Sequence, residues 1–187
     1  GNGVGGNIYN APMPFTSSAV TVSNLSTVVD LAAGYESYCA IKADQTVWCW
    51  GYSGSNAGVF VDGNSNEHAY NTPVQIPGIT DAAAIYGGMS YCVTHQSGQI
   101  SCWGGNPAIA LTAPSGTMHA PTAIADLSGA IDVTVGRSHI CAVLADGTVR
   151  CRGQGRLGDG NNYTFSQRTS VLLEAFDQAV SVESTSS

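Results

Sequence analysis

Lysine occurs once in 187 residues, at position 42, and Lys and Arg together number 6 against 13 Asp and Glu. The resulting net charge of −7 leaves no broad cationic surface for a sugar–phosphate backbone, so nucleic acid is not an expected partner. Charged residues of both signs make up only 10% of the chain, against a usual ~25%. Long apolar runs are missing too. No stretch approaches the roughly 18 consecutive apolar residues of a membrane-spanning helix. Disorder is excluded from the other side, because it joins low hydrophobicity to high charge and this chain is 43% hydrophobic. The opening Gly1–Asn10 lacks an initiator Met, a basic segment and an apolar segment, which leads us to expect a processed chain or a piece of a longer one. Helical periodicity is scarce, since Pro and Gly clusters such as Thr72-Pro73 and Ala120-Pro121 break it. One candidate helix, Val171–Gln178, is read as a strand, because Pro-containing strands hold the matching positions elsewhere.

What the chain does have is a repeat. Tyr38–Gly51, Tyr91–Gly104 and Ile140–Gly153 align, each with two Cys separated by nine residues. Gly34, Gly87 and Gly136 stand five positions before the first Cys of each pair, and a short apolar run precedes each of them. The period is about fifty residues. The expected division is the end of one repeat at 1–28, repeats at 29–78, 79–126 and 127–173, and the start of another at 174–187. Within each unit the reading is β throughout: Thr46–Trp50 is rich in strand formers and follows a turn at Ala43-Asp44-Gln45. The other two turns end in Gly98 and Gly147, where a positive φ is needed. Gln45 replaces that Gly, so the first hairpin is expected to be strained or to use another turn.

These residues resemble repeats of the regulator-of-chromosome-condensation type. The resemblance rests on Gly136 with His139 and Cys141, on Ala145–Val149, on Gly155–Gly160, on Trp50-Gly51 and Trp103-Gly104, and on Pro73-Val74. It covers essentially the whole chain. Ser37 and Ser90 stand where His139 sits, Arg152 replaces the Trp before Gly153, and the second repeat lacks the Leu-Gly-x-Gly segment. The resemblance implies an all-β fold, a β-propeller of four-stranded antiparallel blades. About three blades are present, so the ring is partial, or completed by other sequence or by neighbouring subunits. His139, with its family counterpart, is expected to make a structural hydrogen bond inside its blade. Neither guanine-nucleotide exchange nor chromatin binding, the activities of the family's eukaryotic namesake, carries over onto residues of this chain.

Six Cys allow fifteen pairings, but hairpins centred on residues 44, 97 and 146 set Cys39 opposite Cys49, Cys92 opposite Cys102 and Cys141 opposite Cys151. Opposed non-hydrogen-bonded positions bring Cα atoms to about 4.5 Å, within reach of a disulfide. Free thiols or zinc are the alternatives; the zinc reading lacks the close Cys spacing of structural sites. Disulfides would place the chain outside the cytosol, in an extracellular or cell-surface setting.

Other motifs carry less. Gly1–Gly6 and Gly153–Gly158 both fit G-x-G-x-x-G, but the second follows a hairpin and enters a loop, where a dinucleotide site needs a helix. Asp62, Asn64 and Asn66 begin like a calcium loop, yet no Gly stands at its sixth position and Pro73 occupies its twelfth. No cofactor is expected. No nucleophile–base pair is suggested by spacing, so a non-enzymatic chain is expected. Asn24-Leu25-Ser26 and Asn162-Tyr163-Thr164 are glycosylation sequons. Tyr35, Tyr52, Phe60, Tyr70 and Tyr163 fall in or near loops and are the candidate partner-binding residues, Tyr being favoured at protein interfaces. The expected function is a non-catalytic extracellular module for protein–protein interaction, adhesion or assembly of a surface structure. A secreted inhibitor using one propeller face and an enzyme with an unrecognised loop site are the alternatives. The tail Val180–Ser187 is expected to be able to pair with an exposed edge, and the whole to work within a longer polypeptide or a homo-oligomer.

Overall fold

Twelve strands form three antiparallel four-stranded sheets in the computed structural model, which describes residues 18–54, 58–62, 68–105, 118–161, 163–173 and 178–183. The first blade is β1 (Val28–Ala33), β2 (Ser37–Lys42), β3 (Val47–Ser53) and β4 (His68–Gln75). The second is β5 (Ala82–Gly87), β6 (Ser90–His95), β7 (Ile100–Gly104) and β8 (Met118–Ala123). The third is β9 (Ala130–Val135), β10 (His139–Leu144), β11 (Val149–Gly155) and β12 (Tyr163–Leu173). Strands follow one another in sequence order within each sheet. A single 3₁₀ turn, Ala125–Leu127, is the one helical element among the described residues. Val171–Leu173 closes β12, and residues 174–177 lie outside the described residues.

Each blade is organised around its central hairpin. Asp44 and Asp146 accept hydrogen bonds from the backbone N–H and hydroxyl of Thr46 and Thr148, which pins the two turns and holds both carboxyls below their usual range. The third turn residue is left-handed in all three hairpins, with φ of 64° at Gln45, 79° at Gly98 and 80° at Gly147. Gln45 therefore keeps the same turn and carries the strain itself. Beyond each turn the second Cys faces the first, and disulfides join Cys39–Cys49, Cys92–Cys102 and Cys141–Cys151, each with Cα atoms 4.1 Å apart. Just past the second Cys the ladder with the outermost strand shifts register at Gly51, Gly104 and Gly153, all with positive φ. A β-bulge there is the physical content of the repeated Trp-Gly pair.

The core lies between blades, not inside them. One cluster joins Ile41, Val47 and Ile76 of the first blade to Ile85, Tyr91, Val93 and Trp103 of the second. Another joins Ile100 and Cys102 to Val133, Val135 and Ile140 across the second seam. Phe60 belongs to the first cluster and is buried, so its ring packs in the seam and presents no surface to a partner.

The spacing of the inner glycines needs one correction. Gly34 and Gly136 donate to the carbonyls of Ser37 and His139, and the glycine that does the same to Ser90 is Gly88, not Gly87. The connection between the first two strands has three residues in the outer blades and two in the second, so equal spacing in sequence hides a slip of one position.

Residues 178–183 repeat a pattern seen at the first seam. Asp30 accepts from its neighbour Leu31 at 2.8 Å and, across the seam, from the Ile85 N–H at 2.9 Å. Asp132 accepts likewise from Val133 at 3.0 Å and from the Val182 N–H at 2.8 Å. Ala82 donates to the Gln45 carbonyl, and Ala179 to the Gly147 carbonyl, both at 3.1 Å. Ala179 and Val182 pack on Val143, Val149 and Leu173. The tail thus lies on the third blade as the innermost strand of the second lies on the first.

Candidate interaction face

Where the three innermost strands turn outward, their loops surround a cavity of about 720 Å³. Its wall is mostly backbone and small residues: Ala33, Gly34, Gly87, Gly88, Thr134, Val135 and Gly136. The glycines let the loops approach closely. A Cβ on Gly88 would sit 2.3 Å from the Val135 carbonyl oxygen, and one on Gly34 would sit 2.4 Å from the Tyr91 hydroxyl. Each loop glycine is followed by a large exposed side chain at the rim: Tyr35, Met89 and Arg137. Tyr35 is 80% exposed. Arg137 is the only charged residue in the lining and makes no ion pair among the described residues.

Sequence reasoning picked out Tyr35 and missed its two partners. Aligning on Gly34, Gly87 and Gly136 puts Gly88 in the rim position, and the slip of one residue replaces it with Met89.

Tyr52 and Tyr70 are not among the described residues of this lining. Tyr52 is half-buried in β3. Tyr70, in β4, stacks edge-on with Phe60 and His68 and donates to Asp62 at 3.2 Å. Burial, and then Asp62, raise the Tyr70 phenol pKa. Asp62 also meets His68 Nε2 at 2.9 Å, so the one described member of the calcium trio is engaged by side chains. Asn64 and Asn66 lie outside the described residues. Tyr163 opens β12 opposite Gly155, far along the outer strand. The Gly153–Gly158 motif ends β11 and enters a loop. His139 makes no side-chain hydrogen bond among the described residues; its ring covers Gly136, and burial lowers its pKa. Packing therefore replaces the expected hydrogen bond.

A contact the sequence did not announce is Asp81–His95–Ser101. His95 Nδ1 lies 2.6 Å from Asp81 Oδ1 and its Nε2 2.9 Å from Ser101 Oγ. The distances match an acid–base–nucleophile relay. Ser101, however, is buried in a strand paired on both sides and does not line the cavity. The arrangement ties the link between two blades to the second hairpin.

The model of the Regulator of chromosome condensation (RCC1) repeat matches residues 28–57 and 130–159. These segments fall in the two blades with three-residue inner connections; the slipped second blade is not matched. No curated protein matches in sequence. Among solved structures, human WBSCR16 superposes with a TM-score of 0.71 at 16% identity, over 84% of this chain and 40% of that one. Prp20p from Saccharomyces cerevisiae, which binds Gsp1p and histones, gives 0.64 at 19% identity over 81% of this chain and 39% of its own. Yeast RCC1 (Prp20) bound to Kap60 gives 0.64 at 18%, over 81% and 38%. The chain spans about two fifths of the length of these proteins.

Proposed function

Since the chain is built of RCC1-type repeats folded as part of a β-propeller, we propose that it is a non-catalytic protein-binding module working at the cell exterior, in adhesion or in assembly of a surface structure. The observation that carries this reading is the rim of Tyr35, Met89 and Arg137 around one cavity. Tyr, Met and Arg are the residue types enriched at protein interfaces, and here three separate loops deliver them to one place. The structurally similar Prp20 itself binds other proteins, Gsp1p, histones and Kap60. Three disulfides support an oxidising compartment. The tail packed on the third blade and the exposed Val29, Leu31 and Tyr38 of the first support work within a larger ring, built from a longer polypeptide or from other subunits.

The test is a photo-crosslinking residue placed in turn at positions 35, 89 and 137, with exposed Asn24 as the control. On intact cells of the native source, one and the same polypeptide should be captured from all three rim positions and not from the control. Crosslinks indistinguishable from the control would overturn the reading. An impermeant protease should also cleave the protein on those cells; protection until lysis would refute the exterior location.

A further inference from the structure

The chemistry of the rim narrows what can dock on it. We infer that the cavity between the three inner loops anchors a carboxylate of the partner on Arg137, with an apolar side chain beside it against Met89 and Tyr35. This rests on the reading of the face as a protein-binding surface and adds the partner's chemistry.

Three observations point the same way. In a protein of net charge −7 the single charged side chain among the described residues of the lining is a cation. That cation is exposed, and no acid among the described residues is paired with it. A guanidinium is the group best shaped to hold a carboxylate through two parallel hydrogen bonds. The rest of the described wall offers glycines, Ala33, Thr134 and Val135, so an approaching peptide meets backbone, methyl groups and one threonine, not competing acids. A volume of about 720 Å³ is the size of a site that takes a few side chains or a short peptide turn. Met89 and Tyr35 supply adaptable and rigid apolar contact on two sides of it.

The carboxylate has two sources, an internal Asp or Glu and the C-terminus of a polypeptide. The full 187-residue protein, labelled with ¹⁵N and kept oxidised, is titrated with three probes. They are N-acetyl-leucyl-aspartate amide, N-acetyl-leucyl-asparagine with a free α-carboxylate, and N-acetyl-leucyl-asparagine amide. At least one acid probe should move the Gly34, Gly88 and Gly136 amides with a Kd of about 0.1–10 mM. The neutral amide should bind about tenfold or more weakly, the loss expected when a charge-assisted pair is removed. Arg137→Gln should weaken the acid probe by a similar factor without moving the neutral one, and Met89→Ala should weaken both. Response to the aspartate probe alone assigns an internal acid, and response to the free α-carboxylate alone assigns a C-terminus. Equal binding of the neutral amide, indifference to Arg137→Gln, or no shift with either acid overturns the proposal. Rim crosslinks to a partner would then still stand, so the two readings fail separately.

Discussion

The Tyr91 phenol of the second blade meets the Ser37 hydroxyl of the first at 3.0 Å, and both groups are buried. The ring is stacked on Trp103, and its oxygen sits in the space that the missing Cβ of Gly34 leaves. One side chain thus fastens two blades by packing and by a hydrogen bond. Tyr91→Phe leaves the Ser37 hydroxyl without that partner and should cost about 1–3 kcal/mol in urea unfolding. Tyr91→Phe combined with Ser37→Ala should cost less than the two single changes added together, because both remove the same interaction.

The same tyrosine sets an alkaline limit. Burial, the largest cause, pushes its phenol up to about 12. A phenol raised in the folded state from about 10 gives its full stability below pH 10 and loses it as pH rises towards 12. The loss should approach about 2–3 kcal/mol across that window, and Tyr91→Phe should flatten this part of the profile. An unchanged slope in the variant would show that Tyr86, whose phenol burial also raises, dominates the alkaline transition.

Gln45 holds a left-handed backbone where the other two hairpins use Gly98 and Gly147. Residues with a Cβ pay about 1–2 kcal/mol for that conformation. Gln45→Gly should therefore stabilise the fold, by about 0.5–1 kcal/mol once the greater freedom of glycine in the unfolded state is subtracted. Gly98→Gln should destabilise by a comparable amount. Thermal unfolding of the pair checks both signs.

How far the fold could be read in advance follows from what is local. Two Cys with nine residues between them fix a hairpin and its turn, and Trp-Gly marks the bulge that follows, because both depend on a handful of neighbouring residues. The rim position was not legible, since a connection shortened by one residue leaves the Gly-to-Cys spacing unchanged and moves Met89 into the place that spacing gives to Gly88. Phe60 was misjudged for the opposite reason. Its segment folds back under Trp103, whose indole N–H donates to the Val59 carbonyl at 2.9 Å across 44 residues of sequence, and no local pattern records that contact. The Asp81–His95–Ser101 relay is likewise assembled by the seam.

Asp30 and Asp132 make the same pair of contacts but at unequal depth. Asp30 holds the buried Ile85 at a seam closed on both sides, whereas Asp132 holds Val182 on the outer side of the third blade. Asp30→Ala should speed hydrogen exchange at the Ile85 amide and lower the urea midpoint, at about 1–3 kcal/mol. Asp132→Ala should speed exchange at Val182 while the midpoint stays nearly fixed. Equal losses of stability would show that the tail is as integral as an inner strand.

Tyr38 stacks on Trp50 at 5.8 Å between ring centroids, as Tyr91 stacks on Trp103 at 5.9 Å, yet Tyr38 is 47% exposed and Tyr91 1%. Leu31, whose counterpart Ile85 is 5% exposed, stands at 59%, and Val29 at 63%. The first blade therefore presents, preformed, the face that its neighbour uses to grip a preceding blade. An apolar patch of this kind marks a docking surface. The isolated protein should associate as its concentration rises, seen as faster sedimentation and binding of an apolar dye. Leu31→Glu with Tyr38→Glu should suppress both and leave unfolding within about 0.5 kcal/mol of the parent, as surface changes do. Ile85→Glu, the same chemistry inside a seam, should unfold the protein. A parent that sediments as a compact 19.2 kDa species at every concentration and binds no dye would show that this face is inert.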